Sequence, residues 1–199
     1  MITTIHARQY PSDNPALLKN IYRDSLRRIL THPELTLFFL QSFPANHPLL
    51  PRRNHQEYLG LMLEGIYGWE DRFDRLRALH GDFWGPNLCF TDESAALLDD
   101  SRIPWGDPGM DIGGWMVQYV KFYHQTGNPY FQELGETFLT LYEERTHDTE
   151  IRRALCLPMG FLGVVNLTPL LPCDLDEAAR GTFLQAIYAM LRTQTFTWT

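Results

Sequence analysis

Residues 80–111 restrict the fold more than any other part of this sequence, because they break a helical pattern with short apolar runs and turns. Leu88 to Phe90 and Ala95 to Leu98 are two such runs, and the turn-forming stretch 91–94 (T-D-E-S) separates them. Short apolar runs on either side of a polar turn are typical of a β-hairpin. We therefore predict a small hairpin here, with polar groups at its ends.

Most of the remaining chain is predicted to be helical, because apolar residues recur every three or four positions. We predict helices over 15–31, 33–42 and about 54–78, and the segment 43–53, with three prolines, is predicted to be a loop. A further helix follows Pro108. Gly127, Asn128 and Pro129 then stop that helix and start another, with Asn128 as N-cap and Pro129 at the first helical position.

Three more helix boundaries follow from capping residues and prolines. Asn54 with Glu57 resembles a capping box and would start the long helix there. A short helix is predicted over about 149–156, ended by Pro158. The last helix is predicted to begin at Asp174, with Glu177 completing its box.

Length and composition set outer limits on what the chain can be. With 199 residues it fits one domain, taken here as a loose lead-in over 1–14 and a helical unit over 15–199. The net charge of −7 argues against nucleic-acid binding, which uses basic patches. No apolar run is long enough for a membrane span and no signal peptide is apparent. Three cysteines without a C-x-x-C pair favour a reduced, cytoplasmic protein with buried thiols: Cys89, Cys156 and Cys173.

The polar residues of the 80–111 segment suit phosphoryl transfer. His80, Asp82 and Asn87 occur in the order His-x-Asp-x-x-x-x-Asn, and Asp99 ends the second apolar run. In enzymes that transfer phosphoryl groups, one carboxylate orients a hydroxyl, while an amide and a second carboxylate hold the metal on the nucleotide.

The same segment resembles the C-terminal lobe of the aminoglycoside phosphotransferase and choline kinase family, within the protein-kinase-like superfamily. The matching motifs are His80-Gly81-Asp82 with Asn87, Leu97-Leu98-Asp99, Gly106-Asp107-Pro108 and Asp111-Ile112-Gly113. Only residues 80–113 match motif by motif, and we take this range as the catalytic segment. The resemblance implies a mainly α fold with a small β-hairpin, that is, a protein-kinase-like C-lobe.

The resemblance also implies a role for each residue. Asp82 would orient the substrate hydroxyl and accept its proton, while Asn87 and Asp99 would hold Mg²⁺ on the phosphates of ATP or GTP. His80 would support the catalytic loop, and Asp111 would hydrogen-bond the backbone of that loop. The acceptor would be a hydroxyl of an aminoglycoside, a sugar or an amino alcohol.

The N-terminal lobe of such a kinase is not encoded in these residues. No glycine precedes Gly60, and the two lysines, Lys19 and Lys121, fall in helical stretches rather than in a strand. The chain is therefore expected to work with an N-lobe on a partner chain, to be part of a larger kinase, or to be a non-catalytic, pseudokinase-like binding module. Exposed apolar surface that favours a partner or self-association is expected where the missing lobe would dock.

Structural roles remain open for each of these residues. Asp82, Asn87 and Asp99 are also common turn and capping residues, Asp111 suits a helix N-cap, and His80 suits a core position. Asp100 stands where the family usually has a bulky residue, and three alternatives are open for it: to bind the ion, to raise the pKa of its neighbour through like-charge repulsion, or to point to solvent. A metal-dependent hydrolase using His80, Asp82, Asp99 and Asp107 is a further hypothesis, although only one histidine lies nearby.

Overall fold

The chain is mainly helical, with two short pairs of antiparallel strands, as a computed structural model of residues 1–32, 43–99, 104–167 and 175–199 describes it. The helices are α1 (Ile2–His6), α2 (Pro15–Thr31), α3 (Arg52–Trp69), α4 (Gly109–Thr126), α5 (Pro129–Thr146), α6 (Ile151–Ala154), α7 (Cys156–Asn166) and α8 (Glu177–Thr193). The strands are β1 (Arg77–Ala78), β2 (Leu88–Phe90), β3 (Ala95–Leu97) and β4 (Trp105–Gly106). The predicted mainly α composition with a small hairpin is thus confirmed.

Asparagine followed by proline starts two of the helices. The sequence predicts this start for Asn128 and Pro129, whereas for the earlier helix it predicts only the bound at residue 15. The Asn14 side chain accepts hydrogen bonds from the backbone at the start of α2, and Asn128 does the same for α5. Pro15 and Pro129 occupy the first helical positions, where the missing N–H has no intrahelical partner to lose. These boundaries are local in origin, and the sequence therefore predicts them well.

The predicted bounds of α3 are wrong at both ends. The helix begins at Arg52, so Asn54 lies inside it rather than at its cap, and it ends at Trp69 rather than near Ala78. Beyond Trp69 the chain passes through a 3₁₀ turn over Phe73–Arg75. In this course the guanidinium carbon of Arg75 lies 5.2 Å from the centroid of the Trp69 ring. The helix therefore ends before its predicted periodicity does, and the turn that follows places Arg75 against the Trp69 ring.

Two further boundaries differ from the prediction. Pro158 is the third residue of α7, where its missing N–H costs little, so it does not end a helix. The last helix begins at Glu177, and the Asp176 side chain accepts from the backbone N–H of Ala179. Glu177 is therefore its first residue and not the partner in a capping box. Asp174, Asp100 and the predicted helix over 33–42 lie outside the described residues.

The two strand pairs hold the ends of the 80–111 segment together. β2 pairs with β3 in the predicted hairpin, with Leu88 opposite Leu97. The sequence did not predict the second pair, in which β1 joins β4 with Arg77 opposite Gly106. Because β1 ends just before the catalytic segment and β4 lies near its end, this pair fixes where both ends of the segment emerge.

The N-terminal lead-in is more ordered than predicted. Residues 2–6 form α1, and the side chains of Ile2 and His6 are buried. The backbone N–H of Ala78 also donates to the carbonyl of Arg8, which ties the lead-in to β1. The first residues therefore belong to the packed unit and contact the region of the catalytic segment.

Helix α4 lies at the centre of the core, against α5, α7 and α8. Its buried apolar face consists of Ile112, Met116, Val117 and Val120. In the described part of the chain, no helix combines the length and the apolar character that crossing a membrane would need. Asp111 lies in the first turn of α4, so the core anchors one candidate site residue directly.

Two helical glycines should respond to alanine in opposite directions. A Cβ on Gly113 would lie 2.8 Å from Cγ of Pro158, whose ring cannot swing away, so Gly113→Ala should lower the free energy of unfolding by about 1–3 kcal/mol. A Cβ on Gly60 would meet nothing within 4 Å, so Gly60→Ala should raise it by about 0.5–1 kcal/mol. Urea unfolding measures both, and a stabilising Gly113→Ala would contradict the close approach of α4 and α7.

Candidate active site

The turn at residues 80–82 brings the first two candidate residues into place. Gly81 has a φ of 84°, a left-handed conformation that suits glycine. Nε2 of the buried His80 donates to the carbonyl of Leu98 at 3.0 Å, and its Nδ1 accepts from the backbone N–H of Asp82 at 3.4 Å. His80 therefore connects the loop that carries Asp82 to the end of the hairpin.

Asp111 makes the backbone hydrogen bonds that the family resemblance implies for it. Oδ2 accepts from the backbone N–H of His80 at 2.7 Å, and Oδ1 accepts from that of Gly81 at 2.8 Å. The carboxylate is 1% exposed and lies in the first turn of α4. A rigid helix thus fixes two successive amides of the loop directly before Asp82.

Asn87 holds the carboxylate of Asp82. Its Nδ2 donates to the carbonyl of Asp82 at 2.9 Å and to Oδ2 of the same residue at 3.0 Å. Asn87 can do this because the 3₁₀ turn Gly85–Asn87 brings the chain back toward the loop. Among the described residues no hydrogen bond reaches Oδ1 of Asn87, so this oxygen is the atom that would face a cation.

Asp99 lies at the same end of the hairpin as Asn87. The backbone N–H of Leu98 donates to the carbonyl of Asn87 at 2.9 Å, so the Cα atoms of Asn87 and Asp99 lie within about 9 Å of each other. Asp99 is exposed and has a φ of 53°, which aspartate tolerates better than most residues. Within the described ranges its carboxylate forms no hydrogen bond or ion pair.

The donors at this end of the hairpin fit Mg²⁺ better than a metal held by the protein alone. The described residues include no cluster of three or more His, Cys, Asp or Glu side chains placed to hold a metal ion. Mg²⁺ is commonly bound through one or two carboxylates together with water and substrate phosphates. Asn87 and Asp99 supply an amide oxygen and a carboxylate of this kind.

A buried ion-pair network stands behind the site and was not predicted. Nε of Arg75 donates to Oδ2 of Asp107 at 2.7 Å, and its Nη1 donates to Asp148 at 2.6 Å. Asp107 also accepts from the Tyr22 hydroxyl and from the backbone N–H of Gly109, both at 2.7 Å. Both of its oxygens are therefore engaged, which removes Asp107 from the metal set of the hydrolase hypothesis.

The electrostatics of Asp107 follow from its neighbours. Burial raises the pKa of this carboxyl, but the charge and hydrogen bonds of Arg75, together with Tyr22 and the backbone N–H of Gly109, more than offset this and hold the pKa below its usual value. The group is therefore a buried carboxylate held ionised by its partners. Its position next to α4 makes it a support for the helix that carries Asp111.

His6 was also not predicted as part of the site. Its Nε2 lies 3.0 Å from Oδ2 of Asp111, and its Nδ1 lies 2.7 Å from the hydroxyl of Tyr142. The order hydroxyl, imidazole, carboxylate resembles that of a nucleophilic triad. However, burial and the nearby Asp148 and Asp107 raise the pKa of Tyr142, so its hydroxyl keeps its proton and is a poor nucleophile. No local sequence pattern points to His6, because its partners are distant in the chain.

Apolar side chains are exposed along the hairpin and in the turn before it. Phe90 is 71% exposed, Leu98 51% and Trp84 39%. Cys89 is exposed on the same hairpin, which corrects the prediction of buried thiols for this residue, whereas Cys156 is buried and its pKa is raised to about 12. Cys173 lies outside the described residues.

Both lysines lie on helices. Lys19 lies in α2 and pairs with the exposed Asp71 at 2.7 Å, while Lys121 lies in α4.

Comparison of the chain with models of protein families, with curated proteins and with solved structures finds no match. The geometry around Asp82, Asn87, Asp99 and Asp111 is therefore the basis for any functional conclusion.

Proposed function

We propose that this chain is the catalytic lobe of a small-molecule kinase that transfers the γ-phosphate of ATP or GTP to a hydroxyl group. The carrying observation is that Asp111 holds the amides of His80 and Gly81 while Asn87 holds the carboxylate of Asp82. Four residues singled out in the sequence thus form one connected arrangement. Phosphoryl transfer depends mainly on this kind of positioning and on electrostatic stabilisation.

Each residue has a distinct role in this proposal. Asp82 orients the acceptor hydroxyl of an aminoglycoside, sugar or amino alcohol and accepts its proton. Asn87 and Asp99 hold Mg²⁺, which when bound neutralises charge on the nucleotide phosphates. Asp111 holds the loop through the amides of His80 and Gly81, and the His80 side chain joins it to the carbonyl of Leu98. A cytoplasmic setting, where nucleotides are available and thiols stay reduced, accompanies this function.

A partner is part of the proposal. Phosphoryl transfer in kinases also uses a lysine on a strand to hold the phosphates, and Lys19 and Lys121 both lie on helices. The uncovered apolar hairpin with Phe90 and Leu98 suits an N-lobe on a partner chain or a second copy of this chain. We therefore expect the isolated chain to bind nucleotide weakly and to transfer phosphate slowly or not at all.

A non-catalytic, pseudokinase-like binding module is the second candidate. The observation in its favour is the helical position of both lysines, which leaves the phosphates without that contact. In this case the arrangement around Asp82 would serve ligand or partner binding rather than chemistry. The two candidates differ in whether Asp82 matters for phosphate transfer.

The metal site can be tested on the isolated chain with Mn²⁺ and ATP. Bound Mn²⁺ broadens NMR signals near it, so we expect the side-chain amide of Asn87 and the backbone amide of Leu98 to broaden first. Asp99→Asn should weaken Mn²⁺ binding about 10- to 100-fold, because it removes the carboxylate ligand.

Asp92→Asn is the matched control, because Asp92 is also exposed but lies in the turn at the far end of the hairpin. It should leave the broadening unchanged. Equal effects of the two variants, or broadening centred away from Asn87, would count against the metal site. Tight binding of Mg·ATP by the isolated chain would contradict the expected need for a second lobe.

A further inference from the structure

We propose that His6, on the N-terminal helix, is a positioning residue that holds the loop of His80 to Asp82 through Asp111. This inference rests on the proposed function for its catalytic consequence, although its structural part can be tested without any activity. His6 touches no atom that would react. It acts on the carboxylate that fixes the loop.

The hydrogen bonds of Asp111 show why His6 matters to the loop. Oδ2 of Asp111 is shared between the backbone N–H of His80 at 2.7 Å and Nε2 of His6 at 3.0 Å. Oδ1 accepts from the backbone N–H of Gly81 at 2.8 Å. Without His6 the carboxylate would keep only the two amides, and the side facing α1 would lose its donor.

The ring of His6 is itself fixed at both nitrogens. Because carboxylate oxygens only accept, Nε2 donates to Asp111, and in the neutral imidazole Nδ1 accepts from the hydroxyl of Tyr142 at 2.7 Å. The side chains of His6 and Asp111 are each 1% exposed, so each is held mainly by its protein partners. Tyr142 therefore sets the orientation of the imidazole, and the imidazole sets that of the carboxylate.

Buried histidines often serve packing alone, and a packing role predicts other consequences than a positioning role. A packing role predicts that removal of His6 lowers stability everywhere in the molecule by the same amount. A positioning role predicts a local effect at His80 and Gly81 beyond any global change. Amide hydrogen exchange resolves the two, because it reports the opening of individual hydrogen bonds.

The test uses the full chain, labelled with ¹⁵N, and compares His6→Ala with His6→Gln. Alanine removes the donor, and glutamine places an N–H close to where Nε2 of the imidazole lies. After correction for the change in global unfolding, we expect exchange at His80 and Gly81 to speed up about tenfold or more in His6→Ala. His6→Gln should restore most of the protection.

His124→Ala is the matched control. His124 also uses both ring nitrogens, with contacts to Oγ1 of Thr182 at 3.0 Å and the carbonyl of Trp198 at 2.9 Å. It lies on α4 about 20 Å along the axis from Asp111. This variant should leave exchange at His80 and Gly81 at the wild-type rate once global stability is taken into account.

Kinetics give the second readout where phosphate transfer is measured. We expect His6→Ala to lower kcat on the order of 10- to 100-fold with KM for the acceptor nearly unchanged, because Asp82 is misplaced while substrate contacts persist. Normal exchange at His80 and Gly81 in His6→Ala would overturn the proposal, as would faster exchange with an unchanged kcat. If the wild-type chain transfers no phosphate even with its partner, the proposed function fails, and the exchange data alone decide whether His6 holds the loop.

Discussion

Asp107→Ala is expected to lower the free energy of unfolding by about 3–5 kcal/mol, because it removes one of the two carboxylates that pair with a buried guanidinium and leaves other buried donors without their acceptor. Asp107 is 3% exposed and Arg75 7%, and two nitrogens of Arg75 donate to Asp107 at 2.7 and 3.1 Å. The variant also takes away the acceptor for the Tyr22 hydroxyl and for the backbone N–H of Gly109. Asp148 would still face Arg75, but from the other edge of the guanidinium.

The stability lost in Asp107→Ala should depend on pH, in a direction set by the pKa of Asp107. This pKa is lowered in the folded protein, so the stabilisation is complete above the unfolded-state pKa of about 3.9 and disappears as the pH falls through the folded-state value. Urea unfolding should therefore show a large difference between wild type and Asp107→Ala at neutral pH. The two curves should converge as the solution becomes strongly acidic.

Glu57→Ala provides the matched surface control. Glu57 accepts two hydrogen bonds from Arg192, but the two side chains are 45% and 56% exposed, so the change should cost less than about 1 kcal/mol. An Asp107→Ala variant no less stable than Glu57→Ala would show that the buried network does not support the fold as argued.

Asp82→Asn is expected to lower the kcat of phosphate transfer by about 100- to 10,000-fold, the usual range for loss of a general base. The amide has nearly the same shape and can still accept from Nδ2 of Asn87, which lies 3.0 Å from Oδ2 in the wild type. The loop should therefore keep its conformation, and KM for the acceptor should change little. Steady-state kinetics with Mg·ATP, in the presence of the partner lobe, measure both constants.

This variant also separates the two candidate functions. If a reconstituted activity disappears in Asp82→Asn but persists in the hairpin-turn variant Asp92→Asn, the kinase proposal is supported. A cellular phenotype that depends on the chain but is indifferent to Asp82→Asn would favour the pseudokinase-like binding module. Circular dichroism and urea unfolding of the same samples exclude misfolding as the cause.

Local signals account for the parts of the fold that the sequence predicts well. Asn14 with Pro15 and Asn128 with Pro129 begin helices through their own side chains and rings, without help from distant residues. The hairpin over β2 and β3 likewise depends on a short turn whose side chains bond within the turn itself. Such features need no knowledge of the tertiary structure.

Long-range contacts account for the parts that the sequence did not predict. Where α3 ends at Trp69, arginines lie over the ring of this residue, and one of them, Arg153, comes from the distant helix α6. Strands β1 and β4 are only two residues each and are recognisable only as a pair. Neither the alternation of apolar and polar residues nor helix-capping residues indicate contacts of this kind in a sequence.

The residues of the candidate site also fall into two groups, those that the sequence predicts from local spacing and those that only long-range contacts bring together. Asp82, Asn87, Asp99 and Asp111 stand out because their spacing resembles a family motif, and the structure joins three of them through direct hydrogen bonds and the backbone of the loop. His6, Arg75 and Asp148 have no such spacing. Their partners are set by the tertiary fold, so only coordinates could reveal them.

The contacts of His6 impose an order on the folding of this chain during its synthesis. The histidine lies 105 residues from Asp111 and 136 from Tyr142, so a chain leaving the ribosome presents α1 long before either partner exists. Closing a loop of this length costs entropy, which the packing of the folded chain offsets. The N-terminal segment can contact β1 earlier, through the hydrogen bond from Ala78 to Arg8, but the contacts of His6 form only after α4 and α5 have been synthesised.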